Sequence, residues 1–206
     1  MLTHRSPLIA IFSVLALAVL SSTARAAGAA AAPYGDRLSV MAGMTQWTIF
    51  RGGNLAFEYM HGRLVLEVSH GQGLDLNRLP AFALTPDERD AGVGIQVPWT
   101  TGFGIGYRIT PHLHILVEVK AHHYRVSGRD RNAELEYTTF SVGPGLFYTF
   151  HLFKGMFLEP NLRWWPNLAS TLPGDHGSLR QPDGTTYDHR AHDFGLFANV
   201  NLGWTF

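Results

Sequence analysis

Several stretches of this chain alternate between apolar side chains and polar or small ones, and this alternation restricts its possible folds more than any other feature. From Leu113 to Ala121 every second residue is apolar, and His114, Glu118 and Lys120 lie among the residues between them. Successive side chains of a β-strand point to opposite faces, so each such stretch predicts an amphipathic strand. Beyond the first 26 residues no run of about 18 apolar residues occurs, which argues against a transmembrane helix there.

The pattern predicts eight strands joined by connections that alternate in length. The turns at 61–62, 110–111 and 151–155 are short, whereas the segments 71–99, 126–134 and 166–190 are long and polar. Short turns at one end and long loops at the other are typical of a transmembrane meander barrel. We therefore predict an all-β fold, an eight-stranded antiparallel transmembrane up-and-down β-barrel. Its predicted strands are 38–48, 54–60, 63–69, 101–109, 112–125, 135–150, 156–165 and 192–206.

Composition excludes several other classes of protein. Only 16% of the residues are charged, and 16 basic residues balance 16 acidic ones, so no basic field is available to hold nucleic acid. The chain contains no cysteine, which excludes a disulfide scaffold and a thiolate metal site. We predict no nucleic-acid partner and no cofactor.

The N-terminal segment predicts export. Residues 1–26 combine a weakly basic start, an apolar run over 9–20 and a small-x-small site at Ala24-Arg25-Ala26, as in a cleaved signal peptide. Residues 27–37 are predicted to be a flexible N-terminal tail and residues 38–206 to be the barrel.

The last strand carries a further indication. From Ala198 to Phe206 every second residue is apolar, and the strand ends on Leu202, Trp204 and Phe206. This ending resembles the C-terminal assembly signal of Gram-negative outer-membrane barrels. A soluble β-sandwich or a lipocalin-like barrel is the alternative, but the face opposite the apolar one is too highly charged for a soluble core.

The polar face of the strands predicts what fills the barrel. An eight-stranded barrel has an interior just wide enough for side chains, and unpaired charges there are costly. Four glutamates face four basic residues, so we predict a paired plug without stable conductance. A proton or ion pathway is the alternative interpretation of the same cluster. The predicted lumen charge cluster comprises Glu58, Arg63, Glu67, Arg108, Glu118, Lys120, Glu159 and Arg163.

Residues near the long-loop end are the candidates for chemistry. A hydrolase would need a nucleophile, a base and an orienting carboxylate within reach of one another. Ser69 and His70 are adjacent and therefore point to opposite faces of a strand. The sequence assigns no catalytic residue and no metal ligand, although a transition-metal site among histidines at this end stays open. Those histidines are His70, His122, His123, His176, His189 and His192.

Local signals refine two positions. Thr85-Pro86-Asp87-Glu88 predicts a short helical turn with a threonine cap and proline in the first position. Pro144 removes a ladder donor and predicts a bulge in its strand.

The whole pattern resembles the small outer-membrane β-barrel superfamily, the OmpA/OmpX/OmpW-like group. The resemblance implies residence in the bacterial outer membrane, contact with its lipids and lipopolysaccharide, and insertion by the barrel assembly machinery. We predict a non-enzymatic protein with a structural or surface-interaction role through its extracellular loops. Two alternatives remain, a lipid A-modifying hydrolase and a narrow channel for small hydrophobic molecules. The barrel resembles that of the lipid A deacylases, but their His-x-Ser-Asn segment is absent from this sequence.

Overall fold

A computed structural model describes residues 34–128 and 133–206, and in this part of the chain eight antiparallel strands close into a barrel. The predicted fold class is thereby confirmed in its strand number and closure. The predicted signal peptide and residues 27–33 of the predicted tail lie outside the described residues. The wall strands are β1 (Arg37–Gly43), β2 (Gly53–His61), β3 (Leu64–Asp75), β4 (Gly94–Arg108), β5 (Leu113–Ser127), β6 (Glu134–Tyr148), β8 (Met156–Trp165) and β12 (Gly195–Thr205).

The described residues also form shorter elements, most of them between the wall strands at the long-loop end. No helix in the described residues is long and apolar enough to cross a membrane. The short strands are β7 (Phe150–His151), β9 (Asn167–Ser170), β10 (His176–Arg180) and β11 (Thr186–Arg190). The helices are α1 (Met44–Thr48), α2 (Pro80–Ala83) and α3 (Pro86–Ala91), with 3-10 turns at Leu76–Arg78 and Pro173–Asp175.

The barrel closes through two seams of different strength. β12 pairs with β8 along ten residues of each strand and with β1 along five, so β12 joins the first wall strand to β8. β6 meets β8 in only three residue pairs, from Gly145 to Phe147. β9 pairs with β6 at the end of this second seam that lies nearer the long loops.

The predicted alternation is present in the longest strands. In β5 every second side chain is buried, beginning at His114, and the residues between are exposed or half-buried. β6 shows the same pattern from Tyr137 onward. The buried face is largely polar near the middle of the barrel, whereas the exposed face is apolar, the reverse of a soluble protein.

The first predicted strand is wrong beyond Gly43. The chain turns there into α1 instead of continuing along β12. The backbone N–H of Thr45 donates to Asn199 Oδ1 at 3.1 Å, and its hydroxyl donates to the carbonyl of Ala198 at 3.4 Å. Side-chain hydrogen bonds of this kind give α1 a partner where β1 no longer supplies a ladder.

The bulge predicted at Pro144 is also wrong. β5 and β6 keep a continuous register past Pro144, which lies opposite Val117. The register between β4 and β5 instead shifts between Gln96 and Trp99, around Pro98. Pro98 lacks the N–H that a regular ladder would need.

The long-loop end is a folded cap rather than a set of open loops. α3 begins with a capping box, in which Glu88 N donates to the Thr85 hydroxyl and Thr85 N donates to Glu88 Oε2 at 2.7 Å. The helix predicted at Thr85-Pro86-Asp87-Glu88 is confirmed. β10 and β11 form a hairpin whose turn is closed by Gly184 N donating to the carbonyl of Gln181. β3 and β4 extend into this cap, so the loop predicted over 71–99 is shorter than expected.

We expect Gly143→Ala to weaken the short β6–β8 seam. An added Cβ at Gly143 would collide with the backbone carbonyl oxygen of Trp164, which cannot move without separating the strands. Overpacking of this kind costs about 1–3 kcal/mol of unfolding free energy. Gly53→Ala is the matched control, since its nearest neighbour, a ring carbon of Trp47, lies 3.8 Å away. Urea titration of both variants folded into lipid vesicles measures the difference, and equal midpoints would contradict the assignment.

Candidate functional site: the filled interior and its cap

The middle of the barrel is filled by an ion cluster centred on Arg163. Arg163 Nη1 donates to Glu118 Oε1 at 3.0 Å and to Glu67 Oε1 at 3.5 Å. Lys120 Nζ lies 3.4 Å from the same oxygen of Glu118 and also donates to the hydroxyl of Ser69. These side chains are at most 5% exposed, so their charges have little access to water and must compensate one another.

A second polar cluster lies nearer the short-turn end. His114 Nε2 lies 3.2 Å from Glu58 Oε2, and Glu159 is close enough that one ligand atom from each residue falls within 4.8 Å of the others. Glu159 is held in place because Thr149 and Asn201 donate to its two carboxylate oxygens at 2.9 and 3.1 Å. The arrangement is of the kind that can hold a divalent cation.

The short-turn end is covered by an arginine and aromatic layer. The guanidinium of Arg63 lies 4.1 Å from the ring centroid of Tyr34 and donates to the carbonyl oxygens of Arg108 and Ile109. Arg108 Nη1 donates to the carbonyl of Gly62 at 3.0 Å. Tyr34, within the predicted N-terminal tail, is therefore tied to the barrel.

Toward the long-loop end the interior becomes aromatic. The ring of His122 stacks on Phe194 with centroids 4.8 Å apart, and its Nδ1 pairs with the Thr100 hydroxyl at 2.8 Å. Trp165 lies inside, where its ring N–H donates to Glu118 at 3.3 Å. Trp165 is therefore buried in the interior instead of lying on the outer face of its strand.

Above this layer, a buried cluster fastens the cap to the wall strands. Glu88, from α3, accepts a hydrogen bond from His192 Nδ1 at 3.0 Å. Tyr137, from β6, bonds His189 Nε2 at 2.8 Å and accepts from the backbone N–H of His192 at 2.9 Å. Tyr124 stacks on Tyr137 with centroids 5.3 Å apart. Three segments distant in the chain are thus joined by one hydrogen-bond network.

Two groups of this cap have shifted acidities. Burial raises the pKa of Glu88. The hydrogen bonds from His192 and Thr85, together with the nearby imidazole of His192, lower it by more, so the net shift is downward. Burial lowers the pKa of His189 to about 4, against a smaller opposing effect of Glu88. At neutral pH the network therefore holds a charged Glu88 next to a neutral His189.

The structure brings together most of the residues that the sequence assigned to the lumen. Seven of the eight are buried in the barrel, whereas Arg63 is exposed at the short-turn end. Leu202, Trp204 and Phe206 are exposed on the outer face or at the end of the last strand. Among the histidines near the loops, His189 and His192 converge on Glu88, and exposed His176 pairs with Asp188 at 3.0 Å. The sequence pattern assigns no place in a site to His114, Tyr137 or Glu88, because their partners lie on distant strands.

In the described part of the chain, residues near the long-loop end that the hydrolase alternative would use make other contacts. The Ser69 hydroxyl contacts Lys120 inside the barrel, where it is 2% exposed. His122 pairs with a threonine, and Ser127 borders a polar surface pocket lined also by Asp75 and Glu134.

No protein-family model matches the sequence, and no curated protein matches it significantly. Among solved structures, the chain is similar to a major outer membrane protein from Thermus thermophilus, with a TM-score of 0.46 and 12% identity. The similarity covers 84% of this chain and 100% of that one. A likeness of this extent says nothing about what the present chain does.

We expect Arg163→Met to destabilise the barrel strongly. The change leaves Glu67 and Glu118 buried with one cation fewer, and loss of one partner from a buried ion pair costs about 3–5 kcal/mol. Arg125→Met is the control because Arg125 pairs with Glu136 at 2.6 Å on the exposed surface and should give no measurable change. Urea unfolding in detergent micelles measures both, and a small effect of Arg163→Met would show that the cluster is not needed for stability.

We expect acidification to loosen the cap. The folded-state pKa of His189, about 4, lies below the ordinary value of 6.5, so the unfolded chain binds its proton first as pH falls. Stability is therefore complete above about pH 6.5 and declines between pH 6.5 and 4. Hydrogen exchange of α3 and the β10–β11 hairpin, followed across this range, should show rising exchange. His189→Gln should flatten this dependence, and an unchanged profile in the variant would contradict the assignment.

Proposed function

We propose that this chain is an integral protein of the bacterial outer membrane, closed to ions, with a structural or surface-interaction role through its extracellular cap. The observation that carries the proposal is the reversed polarity of the barrel. Its wall exposes apolar and aromatic side chains, while its interior holds seven buried charged groups. Exposed outer-face residues include Phe103, Ile105, Ile115, Val117, Val119, Phe140, Leu146, Leu162, Trp164, Val200, Leu202 and Trp204.

A lipid bilayer explains this polarity more simply than water does. Contiguous apolar surface on this scale is rare on soluble monomers. A closed barrel pairs the backbone groups of every wall strand with neighbours, which is the condition for placing strands in hydrocarbon. Tyr107, Tyr148 and Trp204 are exposed near the short-turn end, where an interfacial girdle would lie.

The filled interior supports a closed barrel rather than a channel. Arg163 is 5% exposed, and Glu118 is not exposed at all. Next to them, Phe147 is fully buried, and its ring centroid lies 4.6 Å from the guanidinium carbon of Arg163. Salt-bridged and aromatic layers follow one another along the axis, so an ion would have to displace several side chains to pass.

The cap is the surface that would meet partners outside the cell. Short turns lie on the periplasmic side of outer-membrane barrels and longer loops on the outside, so the cap belongs on the outside. Outer-membrane lipids and lipopolysaccharide are the surroundings this placement implies. The exported precursor, with residues 1–26 as its signal, would reach the barrel assembly machinery through a last strand that ends on Leu202, Trp204 and Phe206.

We expect the purified chain to need detergent and to conduct no steady current. Detergent removal should precipitate it, because its apolar belt would face water. In planar bilayers it should show no regular conductance steps, since the interior is occupied by packed side chains. A monodisperse chain in detergent-free buffer would refute membrane residence, and stepwise wild-type current would refute closure alone.

A further inference from the structure

Among residues 34–128 and 133–206, buried carboxylates outnumber buried lysines and arginines inside the barrel. Four interior carboxylates are buried, namely Glu58, Glu67, Glu118 and Glu159, against three buried cations, Arg108, Lys120 and Arg163. Arg163 and Lys120 contact Glu67 and Glu118. The excess negative charge therefore lies with the other two carboxylates.

In the described part of the chain, neither of those two carboxylates has a lysine or arginine as a direct ion-pair partner. Within residues 34–128 and 133–206, no Lys or Arg nitrogen lies within 4.0 Å of a carboxylate oxygen of Glu58 or Glu159. Arg108, the cation nearest the short-turn end, donates to the backbone carbonyl oxygens of Gly35 and Gly62. Two carboxyl groups thus share a buried site in which a negative charge would be costly.

Unsatisfied atoms point into the same space. Glu58 Oε2 and His114 Nε2 face each other at 3.2 Å, yet neither makes a hydrogen bond of acceptable geometry. Both side chains are at least nine-tenths buried, at 2% exposure each. Buried polar atoms without partners are rare, and two that converge on one point indicate a place for an ion or water.

We propose that Glu58, His114 and Glu159 form a site for a divalent transition-metal ion, with zinc as the best-matched example. Two carboxylate oxygens and one imidazole nitrogen belong to the ligand types that zinc takes from proteins, with water available for the fourth position. Bonds of about 2.0–2.2 Å can be made from atoms lying within 4.8 Å of one another after a small inward movement. The ion supplies the positive charge that the interior lacks.

The surroundings favour a preformed site. Thr149 and Asn201 hold the two oxygens of Glu159, and the ring of His114 stacks on Phe147 with centroids 4.7 Å apart and planes 11° apart. Such outer contacts orient ligands before the ion binds. The ligands come from β2, β5 and β8, which lie on different sides of the barrel, so one ion would cross-link three parts of the wall.

Refolding with zinc tests the proposal. The full chain is folded into detergent micelles with Zn²⁺, passed over a weak chelator and analysed for bound metal by mass spectrometry. Wild type should retain about one ion per chain and melt at a higher temperature than protein folded with a strong chelator. His114→Gln and Glu159→Gln should each lower affinity by more than the ~10–100-fold that loss of an outer contact costs. Wild type that retains no zinc would overturn the proposal.

A control separates this site from the many other histidines, of which the chain has 11. His61→Gln removes an exposed histidine that pairs with Asp36 at 2.9 Å, and it should leave the metal content unchanged. X-ray absorption of zinc-loaded wild type needs no variant to fold, and it should show one imidazole among oxygen ligands. Several imidazoles around the ion, or full metal content in a folded His114→Gln variant, would place the zinc elsewhere and refute the site.

Discussion

The interaction on which this barrel depends is the contact of the Arg163 guanidinium with Glu118 and Glu67. A closed eight-stranded wall with an apolar outer face must turn its polar side chains inward, and the interior has room for side chains but little for water. Charges in that space are tolerable only where they meet. Arg163 joins β8 to β3 and β5, so the pairing of charges also holds distant sides of the wall together.

The side chains that fill the interior change in character on either side of this cluster. Toward the short turns it becomes the Glu58, His114 and Glu159 cluster, closed below by Arg108 and Tyr34. Toward the loops it becomes aromatic through Trp165 and merges with the cap. A single filled column therefore runs through the molecule, and its composition changes with height as the partners available on the wall strands change.

The sequence predicts much of this because a period of two is an unambiguous signal in strands as long as β5 and β6. The same period assigned Glu118, Lys120 and Arg163 to the interior. It failed for Arg63, because this residue lies in the turn between β2 and β3, where alternation no longer fixes the side of the wall. It also failed for Met44–Thr48, where hydrogen bonds to β12 favour α1 over continued strand. Convergence of residues from separate strands was not predictable, since Glu88 and His192 are 104 positions apart.

The cap has its own consequence. Its apolar residues, among them Leu76, Leu84 and Leu179, belong to the same buried cluster as Val126 and Phe197 of the wall strands. The cap and the wall are therefore expected to unfold together. A molecule that binds the folded cap would raise the melting temperature of the whole barrel. Thermal shift of the intact protein is thus a direct assay for any molecule that binds the cap.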